Sequence, residues 1–260
     1  MKGRVILVTG SNEGIGFAIA RLCHDRGAIV VLHGLETCAL KASANNIGAG
    51  VKFIVADLMD TGAPDKIIDF VIAQHGRIDG LVNNAGMLDR CTLETASAEL
   101  ADRMFAVNFR APLMLTKAAV AAMVAQGNGG SIVNIGSVNS SCGAPTLLIY
   151  SATKAALATM TRNLGASLGR DRIRINQIDV GWTATESEHR IQAIEGQPEN
   201  WQEMIPSDYR PSGALLSAKQ VARHAVFWLS DESSPVNGQV NEVEQYPMIG
   251  RAFGSNWSDD

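Results

Sequence analysis

Short apolar runs rich in β-branched residues alternate along the chain with longer segments whose apolar residues recur at helical spacing. Runs that are apolar on both faces are typical of strands in a parallel sheet covered by helices on each side. The predicted strands are residues 5–8, 29–32, 52–56, 80–83, 131–135, 174–178 and 239–243, and the predicted helices are residues 16–26, 36–46, 64–75, 97–126, 151–169 and 218–229. Alternation repeated this often predicts an α/β fold, a single-domain Rossmann-type doubly wound parallel sheet with helices on both faces.

The first predicted strand runs directly into a glycine-rich turn, residues 9–16, and then into a helix. Unpaired N–H groups and the positive dipole end at the start of a helix favour an anion there. Gly10 permits the tight turn, Gly14 the close approach of a pyrophosphate, and Gly16 tight packing of the helix on the strand. The arrangement predicts a dinucleotide site at the carboxyl edge of the sheet, where the loops after the strands meet.

Composition excludes several other classes of protein. The chain has 22 Lys and Arg against 26 Asp and Glu and a pI near 5.7, so it lacks the basic footprint of a nucleic-acid-binding protein. The cysteines have no ligand spacing, which predicts reduced thiols and no metal site. No apolar stretch reaches the roughly 20 residues of a membrane span, and the N-terminal apolar run is too short for a signal peptide. We expect a cytoplasmic protein without nucleic-acid or membrane partners.

One catalytic domain, residues 1–247, accounts for these elements, and a polar tail follows at residues 248–260. The least regular segment, residues 182–211, is interpreted as a substrate lid, because loops this long in compact domains tend to be functional. A solvated loop without a role in binding is the alternative.

Three sets of residues together resemble the short-chain dehydrogenase/reductase family, and the resemblance covers nearly the whole chain. The family's TGxxxGxG loop is matched by Thr9, Gly10, Gly14 and Gly16, and its NNAG stretch by Asn83, Asn84, Ala85 and Gly86. Its catalytic set resembles Asn108, Ser137, Tyr150 and Lys154, the last two forming YxxxK. The resemblance implies an oxidoreductase that transfers a hydride between a nicotinamide cofactor and a small-molecule alcohol or ketone. It also implies a homotetramer or homodimer.

The resemblance further implies which residues hold the dinucleotide. They are Gly10, Asn12, Glu13, Gly14, Ile15, Gly16, Gly34, Leu35, Asp57, Leu58, Asn84, Ala85, Gly86, Tyr150, Lys154, Gly181, Thr183 and Thr185. Asp57 resembles the residue that binds the adenine amino group, and Gly181, Thr183 and Thr185 resemble those that reach the nicotinamide carboxamide. Val180 replaces the proline of the family's Pro-Gly, which leaves this loop less rigid.

Cofactor choice depends on the end of the second strand. An Asp or Glu there pairs with the ribose hydroxyls of NAD, whereas an Arg accepts the 2′-phosphate of NADP. Gly34 and Leu35 occupy these positions, so neither determinant is present. Glu13 stands where NADP-using members of the family often have a basic residue, and its carboxylate would repel a 2′-phosphate. We expect NAD, with NADP as the alternative.

The proton chemistry centres on Tyr150. Hydride transfer must be matched by proton transfer at the alcohol oxygen, and Lys154 lies at i+4 from Tyr150, on the same face of a helix. A free tyrosine titrates near 10, and an ammonium with the positive nicotinamide ring would lower that pKa by about three pH units. Ser137 is expected to hydrogen-bond the substrate oxygen. Asn108 is expected to hold a water that links Lys154 to solvent.

The candidate substrate residues are Leu88, Asn139, Leu147 and Trp182. The polar lid, with Trp182 or Trp201 as an aromatic platform, favours a sugar or polyol. A hydroxy acid bound by Arg90 or Arg190 is one alternative, and a 3-oxoacyl carrier-protein reductase is another. A nucleotide-binding protein without turnover is the third, and it would be expected to lack part of the catalytic set.

Overall fold

A computed structural model describes residues 1–246 of the chain. The strands are β1 Val5–Val8, β2 Ile29–Gly34, β3 Lys52–Val55, β4 Gly80–Asn83, β5 Gly130–Ser137, β6 Ile173–Val180, β7 Thr183–Ala184, β8 Leu216–Ser217 and β9 Val240–Val243. The helices are α1 Gly14–Asp25, α2 Thr37–Ile47, α3 Ala63–His75, α4 Ala98–Phe105, α5 Ala111–Gln126, α6 Leu148–Leu168, α7 Glu186–Ile194 and α8 Ala218–Leu229.

Within residues 1–246, seven strands form one parallel sheet in the order β3-β2-β1-β4-β5-β6-β9. The strand order reverses between β1 and β4, the point at which doubly wound sheets bind ligands. The predicted Rossmann-type fold is therefore confirmed.

Helices cover both faces of the sheet, which explains the wholly apolar strands. Ile6 and Val8 of β1 belong to one core together with residues of α1, α2 and α8. Val5 and Leu7 belong to the other core, with residues of α3 and α5. Successive side chains of a strand point to opposite faces, so a strand buried on both must be apolar throughout.

The helix predicted over residues 97–126 has a different geometry at its centre. A π-helical segment, Ala106–Arg110, separates α4 from α5, and it contains Asn108. Segments of π-helix are rare and occur frequently at functional sites. The periodicity of the sequence did not predict this segment.

The helical run Ala98–Gln126 is long and apolar enough to cross a membrane by length and composition alone. The sequence predicted a helix over residues 97–126 but no apolar stretch of membrane-spanning length. Core helices of globular proteins pass the same test, and Leu115, Ala119 and Met123 of this run are completely buried against the sheet.

The lid segment, residues 182–211, is more regular than predicted. It contains β7, which pairs with β8, and the helix α7. The Thr185 hydroxyl caps α7 by accepting a hydrogen bond from the Glu188 N–H at 3.1 Å. Trp201 is buried in a small hydrophobic cluster with Ile205 and Leu215. The last residue of the predicted domain and the predicted tail, residues 247–260, lie outside the described residues.

Candidate active site

Tyr150 and Lys154 lie one turn apart on α6, beside the carboxyl end of β5. The helix begins at Leu148, before its predicted start, so Tyr150 lies in the first turn. Lys154 Nζ is 5.6 Å from the centroid of the Tyr150 ring and donates a hydrogen bond to the Ile135 carbonyl at 2.8 Å. The Ser137 hydroxyl, at the last residue of β5, interacts with the Tyr150 hydroxyl and lowers the pKa of Tyr150. The structure thus brings together three of the four predicted catalytic side chains.

Asn108, the fourth, is buried behind them. Its side-chain oxygen accepts from the Met87 N–H at 2.8 Å, and its amide donates to the Met87 carbonyl at 2.9 Å and to the Thr153 hydroxyl at 3.1 Å. The side chain therefore fixes the loop after β4 against α6. Its role in holding a water stays a prediction.

Burial governs the protonation of the pair on α6. Burial raises the pKa of Tyr150 to about 12; the hydrogen bond from Ser137 opposes this, and the carboxylates of Asp179 and Glu188 add to it. Burial likewise lowers the pKa of Lys154 to about 8, against the effect of Asp179. In the chain by itself, desolvation of the phenolate outweighs the favourable contacts. The predicted lowering of the Tyr150 pKa, which includes the effect of the positive nicotinamide ring, stays a prediction.

Asp179 is a buried carboxylate that the sequence analysis missed. Gln177 Nε2 donates to its Oδ1 at 2.6 Å, and the Ser140 hydroxyl donates to its Oδ2. Gly136 makes room for it, since a Cβ at position 136 would collide with Asp179 Oδ1. The available signal was a charged residue inside the otherwise apolar end of β6.

The glycine turn has the shape of a dinucleotide cradle. Gly10 and Gly14 both have φ of 59°, and a Cβ on Gly10 would lie 2.8 Å from the Ala85 Cα. The Asn84 side chain donates to the Gly10 carbonyl at 2.8 Å and fixes the turn against the loop after β4. Glu13 makes no side-chain cap on α1, so the first N–H groups of this helix stay available for a phosphate.

The ends of β2 and β3 continue this groove. Gly34 ends β2, and a Cβ there would lie 3.1 Å from Asn12 Oδ1. Leu35 is exposed, whereas Leu58 is buried. Asp57 accepts a hydrogen bond from the Met59 N–H at 2.8 Å, which shapes the turn after β3.

Glu13 and Arg90, two charged residues near the predicted sites, each form an ion pair. The Glu13 carboxylate accepts two hydrogen bonds from the Arg190 guanidinium, one of them at 3.1 Å. The predicted repulsion of a 2′-phosphate by Glu13 is therefore offset by an adjacent cation. Arg90 pairs with Glu195. Both cations invoked for a hydroxy acid are thus engaged by carboxylates.

A cavity of about 820 Å³ opens beside Tyr150 and joins the nucleotide groove. The predicted residues that line it are Ile15, Asn84, Gly86, Leu88, Ser137, Asn139, Leu147, Tyr150, Lys154, Gly181, Trp182, Thr183 and Thr185. The other predicted residues, which do not line it, are Gly10, Asn12, Glu13, Gly14, Gly16, Gly34, Leu35, Asp57, Leu58, Ala85 and Asn108.

Three further carboxylates line the cavity and were not among the predicted site residues: Glu188, Glu195 and Glu244. Trp201, one of the two suggested platforms, lies behind Trp182 rather than on the cavity wall, with the ring centroids 5.7 Å apart. No group of three or more His, Cys, Asp or Glu side chains within residues 1–246 has an arrangement that could hold a metal ion.

Comparison with known proteins identifies the family. A family model described as enoyl-(acyl carrier protein) reductase matches residues 10–245. The chain belongs to the short-chain dehydrogenase/reductase family. One relative in this family, sorbitol dehydrogenase of Cereibacter sphaeroides, is 30% identical over 99% of this chain and 98% of its own. Another, gluconate 5-dehydrogenase of Gluconobacter oxydans, is 34% identical over 94% of each.

A solved short-chain dehydrogenase/reductase structure has the same fold over nearly its whole length. It is a crystal structure of 3-oxoacyl-(acyl-carrier-protein) reductase from Agrobacterium tumefaciens C58 with NADP bound. It is 28% identical, has a TM-score of 0.85 and covers 93% of each chain. The protein is therefore an oxidoreductase of a family that uses nicotinamide cofactors.

Proposed function

We propose that the protein is an NAD-dependent dehydrogenase that oxidises a secondary alcohol of a sugar or polyol to a ketone. The observation that carries the proposal is the cluster of Ser137, Tyr150 and Lys154 on the wall of a cavity that is otherwise rich in carboxylates and contains the Trp182 indole. Sugars and polyols need hydrogen-bond acceptors and an aromatic surface, and this cavity offers both.

The residues on α6 and β5 account for the proton transfer. The substrate hydroxyl gives its proton to the Tyr150 phenolate while the hydride leaves the carbon that carries this hydroxyl. Ser137 donates a hydrogen bond to the substrate oxygen. The Lys154 ammonium favours the phenolate by its charge. A bound oxidised nicotinamide supplies the hydride acceptor and a second positive charge beside Tyr150.

The residues of the groove fit the dinucleotide. Gly14 and Ile15 at the start of α1 would hold the pyrophosphate, Asp57 the adenine, and Thr183 and Thr185 the carboxamide. Asn84 to Gly86 and Lys154 would contact the ribose next to the nicotinamide. The preference for NAD rests on Gly34 and Leu35, which provide no arginine for a 2′-phosphate. Glu13 no longer supports this preference, because its charge is paired with Arg190.

A 3-oxoacyl reductase is the second candidate, supported by the related structure of that name. The carboxylates of the cavity disfavour it, because an acyl chain prefers an apolar channel. We also propose that the protein is cytoplasmic and forms a homodimer or homotetramer.

Fluorescence titration with NADH and then NADPH, followed by an activity panel with the tighter cofactor, tests the proposal. The panel contains polyols, sugars, hydroxy acids and a 3-oxoacyl thioester. We expect tighter binding of NADH and turnover of a polyol or sugar. Preference for NADPH together with reduction of the thioester would instead establish the second candidate.

A further inference from the structure

Helix α7 brings a buried carboxylate to the substrate cavity. Glu188 is 9% exposed and lines the same cavity as Tyr150. Its Oε1 accepts hydrogen bonds from Trp182 Nε1 and from Gln192 Nε2, both at 2.9 Å. Its main-chain N–H donates to the Thr185 hydroxyl. Neighbours on three sides therefore fix the orientation of this side chain.

The second carboxylate oxygen of Glu188 is left for a ligand. Both donors bind Oε1, and among residues 1–246 no protein group hydrogen-bonds Oε2 and no cation pairs with the carboxylate. An ionised carboxylate can only accept hydrogen bonds, so this oxygen can bind a hydrogen-bond donor that enters the cavity. A substrate hydroxyl is a donor of the right kind.

Trp182 is held beside Glu188 by a second carboxylate. Glu244 Oε2 accepts from the Trp182 main-chain N–H at 2.8 Å, and Glu244 also lines the cavity. A Cβ at Gly181 would collide with this carboxylate, so the glycine makes room for it. The Trp182 ring stacks on buried Trp201 with 30° between the planes. Trp182 is thus fixed, with the Glu188 carboxylate at its indole N–H and the Glu244 carboxylate at its main-chain N–H.

The charges that line this cavity are unbalanced. Its cations are Arg90 and Lys154. Arg90 is paired with Glu195, and Lys154 belongs to the catalytic cluster. Glu188 and Glu244 are thus left without a paired cation among residues 1–246. Juxtaposed like charges are unfavourable at a binding site, so these carboxylates oppose a negatively charged substrate.

We propose that Glu188, together with Trp182 and Glu244, forms a subsite that accepts hydroxyl groups of a neutral polyol and rejects a substrate carboxylate. The inference rests on the proposed function and narrows it to neutral polyols. Sugar acids are excluded, although one relative is named a gluconate 5-dehydrogenase.

Steady-state kinetics with D-sorbitol and D-gluconate at saturating cofactor test the subsite. These probes have the same carbon number and differ by the terminal carboxylate. Wild type is expected to favour sorbitol in kcat/KM, and Glu188→Gln is expected to lower that preference about tenfold or more, mainly through KM. The matched control is Glu186→Gln, because Glu186 is an exposed glutamate on the same helix that does not line the cavity. It should leave the preference unchanged.

A preference for gluconate in wild type, or an unchanged ratio in folded Glu188→Gln, would overturn the subsite. Calorimetric titration of the enzyme with cofactor bound separates this failure from failure of the proposed function. If neither probe is turned over, the proposed function is wrong. The subsite would still be supported if wild type binds sorbitol more strongly than gluconate and Glu188→Gln does not. The subsite would be refuted if wild type binds the two probes with equal affinity or binds neither probe.

Discussion

Tyr150 and Lys154 lie one helical turn apart, and burial moves both towards their uncharged forms. With a Tyr150 pKa raised to about 12 and a Lys154 pKa lowered to about 8, the chain alone disfavours the phenolate that alcohol oxidation needs. Desolvation is the main cause at both residues. Positive charge from a bound nicotinamide is therefore expected to activate Tyr150, so proton transfer depends on cofactor binding.

Asp179 sets part of this balance. Its negative charge raises the pKa of Tyr150 and that of Lys154. Removing the charge in Asp179→Asn lowers the Tyr150 pKa, so the acidic limb of the kcat/KM profile for alcohol oxidation should move to lower pH. The pH profile of Asp65→Asn, which removes an exposed carboxylate on α3, is the control. An unshifted limb in folded Asp179→Asn would contradict this role.

His33 connects the nucleotide groove to stability. It is buried at the end of β2, and its Nε2 donates to the Ala56 carbonyl at 3.1 Å while its Nδ1 accepts from the Gly10 N–H at 3.4 Å. The contact at Nδ1 requires the neutral ring, whereas the hydrogen bond to Ala56 favours the charged ring and opposes the effect of burial. Burial lowers the pKa of His33 from 6.5 to about 4.

As pH falls from 6.5 to 4, His33 becomes protonated in the unfolded chain before it does so in the folded chain. The His33 contribution to the free energy of unfolding, about 3 kcal/mol, is therefore present above pH 6.5 and lost towards pH 4. Urea unfolding of His33→Gln should show a weaker pH dependence over this interval than wild type. His224→Gln, at an exposed histidine of α8, should keep the wild-type dependence. Equal slopes for His33→Gln and wild type would reject the assignment.

At the scale of elements, α7 joins the lid to the glycine turn. A Cβ on Gly14 would be 3.7 Å from the Thr185 side chain, and Arg190 pairs with Glu13. The lid therefore packs against the turn that is proposed to hold the pyrophosphate. Lid position and cofactor binding should be coupled through this contact.

Arg190→Gln should weaken cofactor binding modestly. The side chains of the pair are 57% and 37% exposed, and ion pairs at such sites contribute about 0–1 kcal/mol, which corresponds to a change in Kd of up to about fivefold. Fluorescence titration at low and high salt measures the effect, which should shrink as salt rises. Arg223→Gln, an exposed arginine of α8, serves as the control. Identical affinities at low salt would show that the pair does not couple lid and cofactor.

The sequence predicted those helices, strands and site residues that are marked by a pattern among neighbouring residues. Apolar runs identify the strands, and Tyr150 with Lys154 is visible as a one-turn spacing. Helix α7 gave no apolar periodicity because its buried residues, Glu188 and Gln192, are polar and are held by hydrogen bonds. The pairing of Glu13 with Arg190 joins residues 177 positions apart, which no local pattern reveals.

At the scale of the whole molecule, the doubly wound topology places every loop that follows a sheet strand at one edge. The nucleotide groove and the substrate cavity are therefore continuous, with the catalytic cluster between them. The fold fixes where chemistry takes place, whereas the charges of the lid are proposed to determine which substrate enters. Fold-level resemblance alone would not separate a polyol dehydrogenase from a 3-oxoacyl reductase.

Exposed apolar residues predict self-association along α4, α5 and α6. Phe105, Val124 and Leu148 are 39%, 48% and 43% exposed. Light scattering should give twice or four times the 27.6 kDa mass of the chain, and Phe105→Asp should shift the protein towards monomer. Ile194→Asp, at an exposed apolar residue of α7, is the control. A monomeric wild type at micromolar concentration would contradict the prediction.

The most direct test of the account compares wild type with Tyr150→Phe in polyol-dependent reduction of NAD, with NADH affinity measured in parallel. Wild type should reduce NAD with a neutral polyol. Tyr150→Phe keeps the packing of the ring but removes the proton acceptor, so kcat should fall by about 10²–10⁴-fold while NADH affinity is retained. Turnover by Tyr150→Phe at the wild-type rate would contradict the assignment of Tyr150 as the general acid/base.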